Sequence, residues 1–160
     1  MIDRLKAWLT EGGGQATGKA DELELAVAAL LIEAAAVDAP LDEPERATVR
    51  RILKRRFALD DTALQELVAA AEWKAERSTQ LFGTTRLLNE RFSHARRIEV
   101  IEMLWEVAYA DGALDPLEDS MLRQVGGLVD VSDHERGEAR LRVLRRLGIA
   151  EENSEKSAEP

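Results

Sequence analysis

The chain has no cysteine among its 160 residues, which excludes disulfides, thiolate metal sites and a cysteine nucleophile. That fits a reducing cytosol, where thiol pairs are rare in any case. Aromatic residues are scarce at 4%, while Ala, Leu, Glu and Arg abound, so the composition favours helix over sheet. Hairpin dipeptides between alternating β-branched runs are missing, which removes the usual strand signal. No apolar stretch approaches the roughly 20 residues needed to cross a bilayer. Met1-Ile2-Asp3-Arg4-Leu5 carries an early acid and no basic segment followed by an apolar one, so a signal peptide is not expected. Positive charge is also short. A net charge of −9 argues against nucleic acid as a partner, because that binding depends on neutralising phosphates. The catalytic inventory is thin: HExxH, GxSxG, Walker and dinucleotide fingerprints are all missing, and the two histidines sit apart from the acidic motif described below. A non-enzymatic, cytoplasmic protein is the expectation.

What is present is a single domain's worth of apolar residues, 45% of the chain, in helical periodicity. Ile2, Leu5, Trp8 and Leu9 mark a short amphipathic helix over 1–10, and the Gly-rich stretch 11–20 reads as a flexible linker. From Asp21 a broad apolar pattern through Leu23, Val27, Leu30, Leu31 and Ala34 predicts a central helix. Helices follow over about 43–56, from Asp60 or Asp61 onward, and on to about Phe92, with Gly83 and Thr84-Thr85 allowing a bend or a break. Ser93 caps the next helix, and Ser132 with Glu135 forms a capping box before the last, which runs to Gly148. Residues 21–148 make one all-α domain, and 151–160 a disordered tail.

Two segments of that domain repeat each other. Glu33, Asp38, Leu41, Asp42 and Glu45 recur 73 positions later as Glu106, Asp111, Leu114, Asp115 and Glu118. Leu31, Val49 and Ile52 match Leu104, Leu122 and Val125 at the same offset, and Leu59-Asp60-Asp61 aligns with Val131-Ser132-Asp133 once one residue is dropped. Each unit is thus helix, acidic junction, helix, capped helix. Capping accounts for four of the six junction acids. Asp42 and Asp115 stand at N-cap positions with Glu45 and Glu118 at N3, and Pro116 occupies N1, where no amide donor is needed. Asp38 and Asp111 are left over, near helix C-termini where the dipole disfavours a negative charge.

Asp111 to Glu118 also matches the second half of an EF-hand loop, with Gly112 at the sixth position and Glu118 at the twelfth. Positions one and three would be Val107 and Tyr109, which excludes a true EF-hand. Two readings stand: caps alone, or caps plus a shallow, partly hydrated oxygen-ligand site for calcium, magnesium or manganese. Elsewhere, Glu99, Glu102 and Glu106 share one helix face, read first as a solvated face and second as a docking surface. The arginine-rich helix ends at Arg50–Arg56 and Arg140–Arg146 complement the helix dipoles.

Leu104-Trp105-Glu106-Val107-Ala108-Tyr109-Ala110-Asp111-Gly112, continuing through Leu114 and Glu118, resembles the TerB-like family. So do Leu88-Asn89-Glu90-Arg91-Phe92 and the first copy from Leu30 to Glu45, so that the likeness spans about residues 22–148. The resemblance implies a compact all-α fold of about seven or eight helices with internal pseudo-symmetry. It further implies association with tellurite resistance and with stress-response systems, whose protein partners lie at the inner face of the membrane. Divalent-cation binding by acidic clusters is implied as well; carried onto this chain, those acids are Asp111, Asp115 and Glu118, and Asp38, Asp42 and Glu45. The first copy departs from the pattern at Ala39-Pro40, where the glycine turn is missing.

Overall fold

The computed structural model describes residues 13–37, 40–77, 81–110, 112 and 114–149, with the backbone alone for 13–22 and 81–83. Among these residues there are seven helices and no strand: α1 (Gly13–Ala35), α2 (Glu43–Phe57), α3 (Asp61–Arg77), α4 (Leu81–Arg91), α5 (His94–Ala108), α6 (Pro116–Leu128) and α7 (Asp133–Leu147). The chain is all-α.

Six consecutive residues of α1, Ala26 to Leu31, are exposed by 1% or less. A helix without a solvent face must be enclosed on every side. Here α2, α3, α4, α5 and α6 all pack on it, and its alanines let them come close. In α5 the run from Val100 to Tyr109 is buried except for Glu102, and α1, α2, α6 and α7 surround it. The core therefore sits around two helices, the ones that lead into the two acidic junctions.

Local chemistry sets the helix boundaries. Asp42 accepts from the Glu45 amide at 2.8 Å, Asp60 from Ala63 at 2.8 Å, Ser93 from Arg96 at 3.3 Å and Asp115 from Leu117 at 2.7 Å. Ser132 and Glu135 make the reciprocal bonds of a capping box. Gly148 ends α7 at φ +69°, a conformation that glycine adopts without a Cβ penalty. Two non-glycine residues, Ala58 and Asp130, take the same left-handed conformation at the ends of α2 and α6.

Those two stand 72 positions apart, and the surrounding backbone bonds recur at that offset. Leu59 N–H donates to Lys54 O, and Val131 N–H to Gly126 O. At the junctions the offset is 73: Ala36 donates to Ile32 and Val37 to Ala34, as Tyr109 does to Trp105 and Ala110 to Val107. Helix packing follows suit. The pairs α1–α2, α1–α3, α2–α3 and α2–α5 have as counterparts α5–α6, α5–α7, α6–α7 and α6–α1, while α1 and α5 pack on each other. Helix α4, lying on α1 and α6, stands outside the scheme.

Two expectations change. Helix α1 begins at Gly13, inside the 11–20 stretch read as linker. Extending a helix that tertiary packing has already nucleated adds one bond per residue, so interspersed glycines weaken the extension without forbidding it. The long pattern from Asp61 to Arg91 is divided into two helices, as a break allowed, but α3 ends at Arg77, six residues before Gly83 where the break was expected. One straight rod could not serve both, because α3 packs on α1 and α2 while α4 packs on α1 and α6. The segments 1–10 and 151–160 lie outside the described residues.

Candidate functional site

Each acidic junction places its two described carboxylates, Asp42 with Glu45 and Asp115 with Glu118, at a helix start. At the second, Gly112 takes φ +86° with open space where a Cβ would stand, and Asp115 commits Oδ1 to the Leu117 amide. Pro116 follows as the first residue of α6, and Glu118 lies half-buried in its first turn. At the first junction Asp42 commits Oδ1 to the Glu45 amide, and Glu45 lies in the first turn of α2. Asp38 and Asp111, the two acids that capping leaves over, lie outside the described residues. Among the described residues no three of His, Asp and Glu converge as a metal-binding set. A hard cation takes six or more oxygens. With one oxygen of each cap engaged, the described donors fall short of that number unless Asp38, Asp111 or water adds to them.

The acidic face of α5 turns inward instead of toward solvent. Glu106 is 6% exposed; its Oε2 meets Arg55 Nη2 at 2.7 Å, and its Oε1 faces Arg146 Nη2 at 3.3 Å and Arg56 Nη2 at 3.6 Å. Glu102 pairs with Arg142 and Arg146, each at 3.2 Å. Only Glu99 keeps the solvated role expected of all three, beside Arg96 at 3.8 Å. The two arginine clusters thus meet across α5, bolting the ends of α2 and α7 to it. Arg140 joins from α7, bonding the Tyr109 hydroxyl at 2.6 Å and lying 5.8 Å from the Trp105 ring. Sequence reasoning missed this network, although one signal was present. Glu106 sits between Trp105 and Val107 in an apolar run, where an unneutralised carboxylate would be costly.

Beside the first junction lies a groove of about 500 Å³. Ile32, Ala36, Pro40, Leu41 and Ala75 supply its apolar lining, and Glu33, Glu72 and Glu76 its carboxylates. The lining guanidinium, Arg46, is held to Glu72 at 3.1 Å. Burial pushes the Glu33 carboxyl above its ordinary range, against the opposing charge of Lys74. Next along α3, Trp73 is 60% exposed, with the Arg77 guanidinium 4.0 Å from its ring centre. The histidines are elsewhere, in surface pairs with acids: His94 with Glu135, and His134 with Glu138. Hydrogen bonds from His94 and from Ser132 hold the Glu135 carboxyl down to about 2.

No helix among the described residues is long and apolar enough to cross a membrane. Neither the curated proteins nor the solved structures contain a match to the sequence. A family model does match: that of tellurite resistance protein TerB, across residues 24–141.

Proposed function

The chain belongs to the TerB family, and from that premise we propose that it is a cytoplasmic, non-enzymatic stress-response protein that works by docking a protein partner. The groove at the first junction carries this reading. It combines an apolar lining with carboxylates in a molecule where the Glu102 and Glu106 carboxylates are already matched by its own arginines. Its volume falls within the roughly 300–1,000 Å³ common for binding clefts. Filling the groove tests the idea. Ala36 is exposed at its edge, so Ala36→Trp should block docking without overpacking the core. A tagged full-length chain should retain from its native cell a partner that survives chelator and is lost with Ala36→Trp, at an unchanged melting temperature. A partner retained equally by both proteins counts against the groove.

The second reading is a weak divalent-cation site for calcium, magnesium or manganese at the second junction, through Asp111, Asp115 and Glu118. A matching site at the first junction would use Asp38, Asp42 and Glu45. It is favoured by the left-handed Gly112 turn and by Asp115, which caps α6 through Oδ1 and keeps Oδ2 for a ligand. Calorimetry with the three cations should show heat that disappears in Asp111→Asn. It should also disappear in Asp115→Ser, a change that keeps a capping oxygen while removing the carboxylate. If no cation gives heat or shifts the melting temperature, this reading fails.

A further inference from the structure

The internal repeat supplies a template for what the groove binds. Glu33 and Glu106 occupy the same position in the two units. In the second unit, Glu106 is surrounded by three guanidiniums, Arg55 and Arg56 from the end of α2 and Arg146 from α7. In the first unit, α3 supplies Lys74 where α7 supplies Arg146, by the same 72-residue offset that relates the helix ends. The helix that packs on α1 as α2 packs on α5 is α6. At the offset that relates Lys54 to Gly126, it presents Gly127 and Leu128 where α2 has Arg55 and Arg56. Two of the three cations are therefore missing from the Glu33 side. Among the described residues Glu33 makes no ion pair, and it lines an open groove with Glu72 and Glu76.

We propose that this groove accepts an arginine side chain from a partner protein, Glu33 receiving from outside the guanidinium charge that Glu106 receives from within the chain. The inference rests on the docking reading above and adds the identity of the anchoring residue. Arginine suits the place better than lysine for two reasons. Its planar fork can bond two carboxylate oxygens, and its weaker hydration lowers the cost of entering a half-buried site. Ile32, Leu41 and Ala75 would contact the aliphatic stem while the head reaches Glu33. Glu72 is already matched by Arg46, and Glu76 lies 3.9 Å from Arg77 at the surface, so Glu33 is the carboxylate that would meet the incoming charge.

The test is a titration of the isotope-labelled full chain with the peptide acetyl-Leu-Arg-Leu-amide, followed by amide chemical shifts. Shifts should gather at residues 32–36, 40–46 and 72–76. Replacing the arginine by citrulline, which keeps the shape and removes the charge, should weaken binding by about tenfold or more, and Glu33→Gln should do the same. Glu33→Gln removes a half-buried charge, so its loss of binding cannot come from unfolding if its melting temperature is not lowered. The arginine proposal is overturned if acetyl-Leu-Lys-Leu-amide binds as well, if Glu33→Gln is without effect, or if no peptide shifts the groove. It is also overturned if free arginine amide binds as tightly as the peptide, which would make this a small-molecule site. Partner retention in the Ala36→Trp experiment judges the docking reading separately, so the two can fail independently.

Discussion

Replacing Glu106 by Gln keeps the side chain's size and removes the charge on which Arg55, Arg56 and Arg146 converge. The magnitude depends on which of those cations can find water afterwards. Arg55 and Arg146 are 55% and 42% exposed and can turn outward, so most of their share is recovered by hydration. Arg56 is 20% exposed, and its Nε and Nη2 atoms are buried without a hydrogen-bond partner, so Glu106 is what balances its charge. Breaking a buried pair from one side costs roughly 3–5 kcal/mol. With two of three cations rescued by solvent, the lower end applies, about 3 kcal/mol, which corresponds to a melting temperature about 6–12 °C lower. Urea unfolding followed by circular dichroism should show the midpoint falling with the slope unchanged. Arg55→Ala should cost no more than about 1 kcal/mol, being half in solvent. A Glu106→Gln loss below about 0.5 kcal/mol, within the usual range for exposed positions, would refute the reasoning. So would an Arg55→Ala loss exceeding it, since the energy would then lie in a surface pair and not in burial of the carboxylate.

Three other outcomes follow from the same geometry. Ser132→Ala removes the capping box of α7 and should cost about 1 kcal/mol by denaturant unfolding; no loss would mean that water replaces the cap. The raised Glu33 carboxyl lets the folded state hold its proton longer than the unfolded one does. The stability tied to it is complete below pH 4.5 and disappears as pH rises through the raised value. Glu33→Gln should therefore melt higher than the parent at pH 7, and the gain should vanish by about pH 4; an equal gain at both would exclude ionisation as the cause. Glu135 has the opposite sign, because its carboxyl is lowered to about 2 in the folded state. Its contribution is present above pH 4.5 and lost as pH falls toward 2, so the deficit of His94→Ala should close over that interval. A deficit unchanged down to pH 2 would show that the histidine stabilises by packing alone.

Helices were legible in the sequence wherever the signal was local. A short polar side chain before an apolar pattern marked Asp42, Ser93, Asp115 and Ser132 as caps, and each accepts an amide bond in the structure. Gly112 and Gly148, glycines that follow apolar helical patterns in the sequence, take positive φ, a conformation glycine favours. Ala58 adopts it with nothing in its own chemistry to announce it, while Asp130 is of a residue type that visits it more readily than most. The site was less legible, since its parts are far apart in sequence. Arg55 and Glu106 are 51 positions apart, and no periodicity within either helix says that they meet. The groove is harder still, being bounded by α1, α2 and α3 together. Its key carboxylate, Glu33, was visible only as the opening residue of the first copy. Comparison of the two folded copies is what separates it from Glu106.

The crosswise packing of the two units governs how the molecule comes apart. Helix α5 is covered in part by α2 of the other unit, and α1 in part by α6. Removing either half would strip α1 and α5, which carry the fully buried Leu30 and Ile101, of part of the cover that encloses them. Neither half is a closed body, even though each has its own caps and its own junction. A duplicated domain of this kind is expected to melt in one cooperative step and not as two modules. A chain severed between the halves should regain its fold only when both pieces are mixed.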